Sequence, residues 1–532
     1  MLDEIVANRS QPSGAGRGRF IYEFAHRRHD HAEHRAKSPL SRKSFAEKPV
    51  FGFMRPMQNK GSSGPQGFVV QPRRLPKTTA SVRVQDFGEI IVKPTTENIE
   101  VQAGRCTDCG VPFCQNACPL QNNIPDWLGL SAEDEMREAW RIASATSTMP
   151  EICGRICPQD RLCEGSCTLN QSGWEAVTIG SVEAFIGDTA FDNGWVEPIR
   201  PAAERGQSVG IVGAGPAGLA AADRLRSAGY AVTVYDRHDR PGGLLIYGIP
   251  GFKLEKRVVQ RRTDRLIEGG VEFVQNCNVG VDVTFAELRE RHDAVLLAMG
   301  VYQARALSVP GGGPGDTVPA LDFLIHQNRR DLGEVDNDAW HNAKGRKVVV
   351  IGGGDTAMDC VRTAIRQGAE SVVCLYRRDR DNMPGSAREV QNAEEEGVVF
   401  EWLGAPKALM SRDGSVSSVR AARMALSEPE FGKRREIVAV PGGDFDLQAD
   451  LVIEALGFEP EEFAAHHNEL SLTEWNTVAT ARSGFATSLP GVYAAGDAVR
   501  GASLVVWAVR DGQDAAAEID RYLRTQTKEQ AA

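Results

Sequence analysis

Eight of the eleven cysteines of this chain fall between Cys106 and Cys167, at spacings that suit cluster ligands. One run reads Cys106-x2-Cys109-x4-Cys114-x3-Cys118-Pro119, and the other Cys153-x3-Cys157-Pro158-x4-Cys163-x3-Cys167. Two dense thiol groups, each with a Cys-Pro step, point to two iron–sulfur clusters. In two-cluster ferredoxins the cysteine before proline serves the other cluster, which sends Cys118 to the second group. Structural zinc is the main alternative, because four-cysteine zinc sites also use C-x2-C pairs. The wider spacings and the Cys-Pro steps weigh against it. A disulfide framework conflicts with a cytoplasmic chain, and a redox pair at Cys106–Cys109 alone ignores the other six thiols. Cys277, Cys360 and Cys374 stand apart and read as structural thiols.

Two glycine turns carry the second kind of chemistry. An apolar run at 209–212 enters Gly213-Ala-Gly215-Pro216-Ala217-Gly218, a helical pattern follows, and a second apolar run ends at Asp236. Gly213 permits the tight turn, Gly215 lets the backbone approach a pyrophosphate, and Gly218 lets helix pack on strand. The helix N-terminus offers free N–H groups to phosphates, and Asp236 is suited to ribose hydroxyls. The following Pro241-Gly242-Gly243-Leu244 favours FAD over NAD at this turn, since flavoproteins often continue with a Gly-Gly turn there.

The second turn is Gly352-Gly-Gly354-Asp355-Thr356-Ala357, with alanine in place of the third glycine. The strand after it ends not in an acid but in Arg377-Arg378. An acid there repels a 2′-phosphate, whereas guanidinium groups pair with it, so the second nucleotide is expected to be NADPH. Near the C-terminus, Gly491-Val-Tyr-Ala-Ala-Gly496-Asp497 resembles the closing FAD motif of disulfide-reductase-like flavoproteins, in which Asp497 would hold a ribityl hydroxyl. The helical pattern after Ser503 would aim its N-terminus at the flavin ring.

These groups need scaffolds to hold them. At 532 residues the chain has room for two to four domains, and 42% hydrophobic and 25% charged residues are ordinary for a globular protein. A net charge of −10 argues against nucleic-acid binding. No apolar run is long enough to span a bilayer and no signal peptide is visible, so a cytoplasmic location is expected. Residues 1–66 lack any period and form an expected disordered, locally basic arm, with four histidines between His26 and His34 and a possible alternative start at Met57. Residues 67–101, with Pro72, Pro76 and Pro94, read as extended and turn-like. The expected fold is α/β: two Rossmann-like dinucleotide-binding domains preceded by a helical iron–sulfur domain. The expected boundaries are 67–204 for the iron–sulfur domain, 205–330 with 455–532 for FAD, and 331–454 for NADPH.

The stretches CGRICPQDRLCEGSC (153–167), GLLIYGIPGFKLEK (243–256), GGGDTAMDCVRTAIRQGA (352–369), YRRDRDNMPGS (376–386) and AAGDAVRGASLVV (494–506) together resemble the small (beta) subunit family of NADPH-dependent glutamate synthase. The resemblance covers nearly everything after residue 66. It implies an N-terminal module shared with dihydropyrimidine dehydrogenase. By that transfer Cys106, Cys109, Cys114 and Cys167 hold one [4Fe-4S] cluster. Cys118, Cys157, Cys163 and Glu183 hold the other, with Glu183 where that relative has a ligating Gln and Cys153 left out. It further implies electron input from NADPH through FAD and both clusters to a large (alpha) subunit that makes glutamate from glutamine and 2-oxoglutarate. That makes a hetero-oligomer. Hydride transfer to flavin requires no catalytic side chain of the chain's own. The nearest alternative is an NADPH:ferredoxin-type or otherwise partnered reductase, and a more distant one is a zinc-stabilised assembly module.

Overall fold

The computed structural model describes residues 67–311, 317–334, 341–428, 435–461 and 469–531. The expected arm at 1–66 lies outside the described residues. All of the described residues belong to the compact unit that begins at Asn59.

Residues 67–204 form a helical module. Its longer helices are Thr96–Ala103, Ile124–Ala132, Met136–Thr146, Pro150–Ile156 and Ile179–Asp192. Thr95 starts the first of them by accepting the Asn98 N–H at 3.3 Å, the usual N-cap contact. The segment expected to be extended therefore contains helix, with short turns at Gly67–Val70 and Ala80–Arg83 as well. The module's core is Ile99, Trp127, Leu128, Val182 and Ile186, all buried, and Cys163 belongs to it. Gly154 and Gly180 let two helices touch: a Cβ on Gly154 would lie 2.5 Å from the Gly180 carbonyl oxygen.

Two parallel five-stranded sheets follow. The first has the order Val492–Ala494, Ala294–Leu297, Ser208–Val212, Ala231–Tyr235, Val271–Val274. The second runs Thr317–Pro319, Leu451–Glu454, Lys347–Ile351, Ser371–Tyr376, Val399–Trp402. Their central strands are buried apolar runs, as sheets covered on both faces require. Strand Thr317–Pro319 pairs with Leu451–Glu454, and helix Ala320–Asp331 shares the second core through Phe323 and Leu324. The second nucleotide unit thus begins near residue 317, ahead of the expected 331. It also holds an antiparallel sheet, Gly404–Arg412, Ser415–Leu426 and Ile437–Gln448. The last helix, Val505–Ala531, packs on Pro216–Ser227 so closely that a Cβ on Gly512 would meet the Ala217 carbonyl oxygen at 2.1 Å. No helix among the described residues is long and apolar enough to cross a membrane.

Candidate functional site

The first glycine turn leaves the C-terminal end of Ser208–Val212. Gly213 has φ +104°, which a side chain rarely adopts, and a Cβ on Gly218 would sit 1.9 Å from the Gly213 carbonyl oxygen. Nothing lies within 4 Å of a Cβ built on Gly215, so the turn is open at that point. Pro216 begins the helix, and Ala217 is buried behind it. Two distant segments close on this turn. A Cβ on Gly243 would meet the Gly215 Cα at 2.9 Å, and one on Gly496 would meet the Ala217 Cβ at 2.9 Å. Leu244 opens the short helix Leu244–Tyr247 directly after Gly243. Gly213, Gly215, Ala217, Gly218, Gly243 and Gly496 therefore meet at one crevice, above the carboxyl ends of the strands, where open α/β sheets bind ligands.

Asp236 sits at the rim of that crevice. Its carboxylate accepts the Ala214 N–H at 2.7 Å and the His238 N–H at 2.8 Å. Asp497 accepts the Ser503 hydroxyl at 2.6 Å, and burial pushes its carboxyl up to about 6. Sequence reading missed His238 and Tyr302, which line the same pocket as Gly213 and Asp236. Single aromatic residues in loops carry no periodic signal. It also missed Lys256, whose ammonium donates to the Ile249 and Leu245 carbonyls and pins the loop after Leu244. Burial lowers that ammonium to about 7.

The second turn repeats the design. Gly352 has φ +148°, and a Cβ there would meet the Ala455 carbonyl oxygen at 2.2 Å. A Cβ on Gly353 would strike the Tyr376 ring at 2.4 Å, while Gly354 is open. Helix Asp355–Arg366 starts at Gly354, with Thr356 partly exposed and Ala357 buried in its first turn. The Asp355 carboxylate accepts the Ser386 N–H at 2.8 Å. The two arginines after Tyr376 part company: Arg377 is exposed, whereas Arg378 is 9% exposed. Consecutive residues leaving a strand point to opposite faces.

The cysteines fall into two places. Cys106, Cys109, Cys114 and Cys167 line one pocket in the helical module together with the exposed Phe113, and Val111, two residues before Phe113, is exposed as well. Burial raises the Cys106 thiol to about 11 and Cys114 to about 12. Cys118, Cys157, Cys163 and Glu183 lie within electrostatic reach of one another, and Cys153 hydrogen-bonds Cys157. Glu183 accepts the Asn122 amide N–H at 3.0 Å, and burial pushes its carboxyl up to about 8. This second place touches the unit of the first glycine turn: Cys153 belongs to the same core as Val209 and Leu219, with Cys157 packed against it. Among the described residues no three His, Cys, Asp or Glu side chains are gathered as a single metal ion needs. Thiol-rich donors in two places, Cys106, Cys109, Cys114 and Cys167 in one and Cys118, Cys153, Cys157, Cys163 and Glu183 in the other, suit iron–sulfur ligation better than a four-thiol zinc site.

The module is fixed to the unit of the first glycine turn by charge as well as by packing. Glu151 takes two hydrogen bonds from Arg262, at 2.9 and 2.7 Å, with both side chains buried. Within the module Arg155 bonds Glu89 at 2.7 Å and Asp188 at 2.8 Å, and Asp188 also accepts from Arg261 across the boundary.

Residues 83–195 match the family described as dihydropyrimidine dehydrogenase domain II, 4Fe-4S cluster, and residues 207–512 match the pyridine nucleotide-disulphide oxidoreductases. Among solved structures, FprA of Mycobacterium tuberculosis in complex with NADPH aligns with a TM-score of 0.52 at 22% identity. The alignment covers 62% of this chain and 86% of that one, a likeness of fold. Among curated proteins, the glutamate synthase [NADPH] small chain of Azospirillum brasilense is 55% identical over 468 residues, covering 87% of this chain and 97% of the relative. That of Escherichia coli K12 is 44% identical over 455 residues, covering 84% and 96%. Likeness of that extent, over almost the whole of each relative and on top of this geometry, makes the chain an NADPH-dependent oxidoreductase of the glutamate synthase small chain family.

Proposed function

We propose that the chain is the electron-input subunit of glutamate synthase. It oxidises NADPH at FAD and passes electrons through two [4Fe-4S] clusters to a large subunit that makes glutamate from glutamine and 2-oxoglutarate. The observation that carries this reading is the order of the parts. Cys157 of the second thiol group packs on the core of the unit that carries the first glycine turn, while Cys106, Cys114 and Cys167 of the first group pack on the helical module's core, near exposed Val111 and Phe113. FAD supplies a hydride acceptor that releases electrons singly, and the clusters supply one-electron carriers.

The chain's own residues bind and orient. Gly213, Gly215 and Gly218 present the N-terminus of helix Pro216–Ser227 to the FAD pyrophosphate. Asp236 takes a ribose, and Asp497 a ribityl hydroxyl. Gly352, Gly354, Asp355, Thr356 and Ala357 cradle the NADPH pyrophosphate in the same way. Cys106, Cys109, Cys114 and Cys167 hold one cluster, and Cys118, Cys157, Cys163 and Glu183 the other.

Of the two arginines, exposed Arg377 suits the 2′-phosphate. Arg377→Ala should raise the KM for NADPH about tenfold with little change for NADH, because a charge-assisted bond to phosphate is lost. Arg378→Ala should act on stability instead, since its side chain is buried. Steady-state kinetics with both nucleotides decide; equal effects of Arg377→Ala on the two would remove its phosphate role.

The test of the whole reading is anaerobic purification with iron, sulfide and flavin counts, then NADPH addition with and without the large chain, glutamine and 2-oxoglutarate. About eight irons per chain and NADPH-dependent glutamate formation are expected. Zinc without iron would overturn the cluster assignment. Reduction of ferredoxin, with no glutamate formed beside the large chain, would overturn the partner.

A further inference from the structure

The loop between the thiols of Cys157 and Cys163 makes contacts that iron ligation does not require. Its residues Gln159–Arg161 form a short 3-10 turn, and all three bond to the second nucleotide unit. Gln159 Oε1 accepts from the Arg388 guanidinium at 2.6 Å. Asp160 Oδ1 accepts the Ser386 hydroxyl at 2.8 Å, and its Oδ2 accepts the Ala387 N–H at 2.9 Å. Arg161 donates to Asp355 Oδ2 at 3.3 Å.

Asp160 stands in for a missing cap. Ser386 occupies the N-cap position of helix Ala387–Glu395, yet its side chain makes no capping bond. Its hydroxyl is given to Asp160, and Asp160 takes one of the helix's free N–H groups in its place. The segment held in this way lies on the nucleotide turn. The Gly385 N–H donates to the Gly353 carbonyl at 2.9 Å, and the Ser386 N–H to Asp355 at 2.8 Å. The loop that does the holding is stiff. The buried Gln159 donates to the Gly154 carbonyl at 2.9 Å, and a Cβ on Gly165 would sit 1.9 Å from the Asp160 carbonyl oxygen.

We propose that Asp160 is a positioning residue for NADPH: from the loop that joins Cys157 to Cys163, it holds residues 385–388 against the Gly352–Gly354 turn. This rests on the assignment of that turn to NADPH. Removing the Asp160 carboxylate releases Ser386 and the first N–H of its helix, and with them the segment that backs the turn. Nucleotide binding weakens, and turnover at saturation does not, because Asp160 acts through Ser386 and Ala387.

The test is the Kd for NADP+ by titration calorimetry on the purified full chain with flavin and iron in place. Wild type is compared with Asp160→Ala and Asp160→Asn. Asp160→Ala should raise Kd about fivefold, the usual effect of losing a cap, and raise the KM for NADPH in step while kcat holds. Asp160→Asn keeps an acceptor for the Ala387 N–H and should recover most of the loss. Unchanged affinity in Asp160→Ala with iron and flavin intact overturns the proposal. So does a fall in kcat and thermal stability with no selective loss of nucleotide affinity. Should Asp160→Ala shed iron, Ser386→Ala deletes the same bond from the nucleotide side, and the same rise in Kd is required of it. Arg377→Ala, run alongside, separates the two readings. If it too leaves NADP+ affinity unchanged, the nucleotide assignment falls; if it weakens binding and Asp160→Ala does not, only the role of Asp160 falls.

Discussion

Replacing Glu396 with alanine should destabilise the chain by ~3–5 kcal/mol, the cost of stranding buried charge. The Glu396 carboxylate is fully buried and serves three guanidinium groups. Arg83 donates to it at 2.8 Å, Arg362 at 2.9 and 3.0 Å, and Arg366 at 2.6 Å. Among the described residues, Arg362 keeps a second carboxylate, Glu389, but Arg366 does not. Both arginines also lie over the Phe252 ring, at 4.4 and 4.1 Å. One carboxylate therefore joins three stretches far apart in sequence: the helix Ala80–Arg83, the loop at Phe252 and the helix Asp355–Arg366. Denaturant unfolding of wild type and Glu396→Ala gives the difference directly. A loss below about 1 kcal/mol would mean that the network behaves as a solvated surface pair.

The same carboxylates set a dependence on pH. Burial pushes Glu396 upward, but hydrogen bonds from Arg366 and Arg362 and their charges win, and hold it at about 2 against an ordinary 4.5. Glu389 is held at about 2 as well, where Arg362, Lys253 and Arg388 outweigh burial. The unfolded chain takes up these protons near the ordinary value and the folded chain only near 2. Their contribution is thus complete above pH 4.5 and is lost as pH falls toward 2. Stability should decline with acid through that window, and less steeply in Glu396→Gln, which has one fewer carboxylate to protonate. Parallel declines in the two proteins would show that other groups control acid unfolding.

How far the sequence discloses this molecule depends on how local each demand is. The backbone at Gly213 and Gly352 needs φ angles that side chains resist, so the demand is met by residue type at that very position. Both turns are therefore legible, and so is the mostly buried strand Ser371–Tyr376, which runs directly into Arg377-Arg378 as expected. The Glu396 network is not legible, because Arg83 and Glu396 lie 313 residues apart and neither alone differs from a surface charge. The strand Ile437–Gln448 is also concealed. Pro441-Gly442-Gly443 reads as a turn, and the strand passes through it with Gly442 at φ +72° and a shift in pairing beside it. The helices inside 67–101 are hidden by the three prolines in the same way, although Thr95 is a legible cap. Asp160 shows the same limit at the site. An acid between two cysteines suggests a ligand or a solvated turn, and its real partners, Ser386 and Ala387, lie more than two hundred residues on.

Glu183→Ala should cost the chain about four of its irons, and Cys153→Ser should cost none. Both side chains reach the second thiol group, so proximity alone does not choose between them. The helices that carry them, Pro150–Ile156 and Ile179–Asp192, touch through Gly154 and Gly180. Their burial has different physical standing. A thiol behaves as a small apolar group, and Cys153 lies among Met149 and Ile152 in a core that it fills without help. A carboxylate in the same place is costly unless something answers its charge. Glu183 has one amide donor, Asn122, whose own carbonyl is taken by the Trp127 indole and the Thr146 hydroxyl. One neutral donor is little return for a carboxylate among three thiols, whereas an iron at the fourth corner of a cluster would use all four. Cys153 fills its place as an apolar group, whereas the charge of Glu183 has to be answered by a proton, as its rise to about 8 reflects, or by the cluster we propose. Iron and sulfide counts on each variant, with Glu183→Gln to retain an oxygen donor, decide the matter. Iron lost from Cys153→Ser and kept in Glu183→Ala would exchange the two assignments and leave the carboxylate without a role.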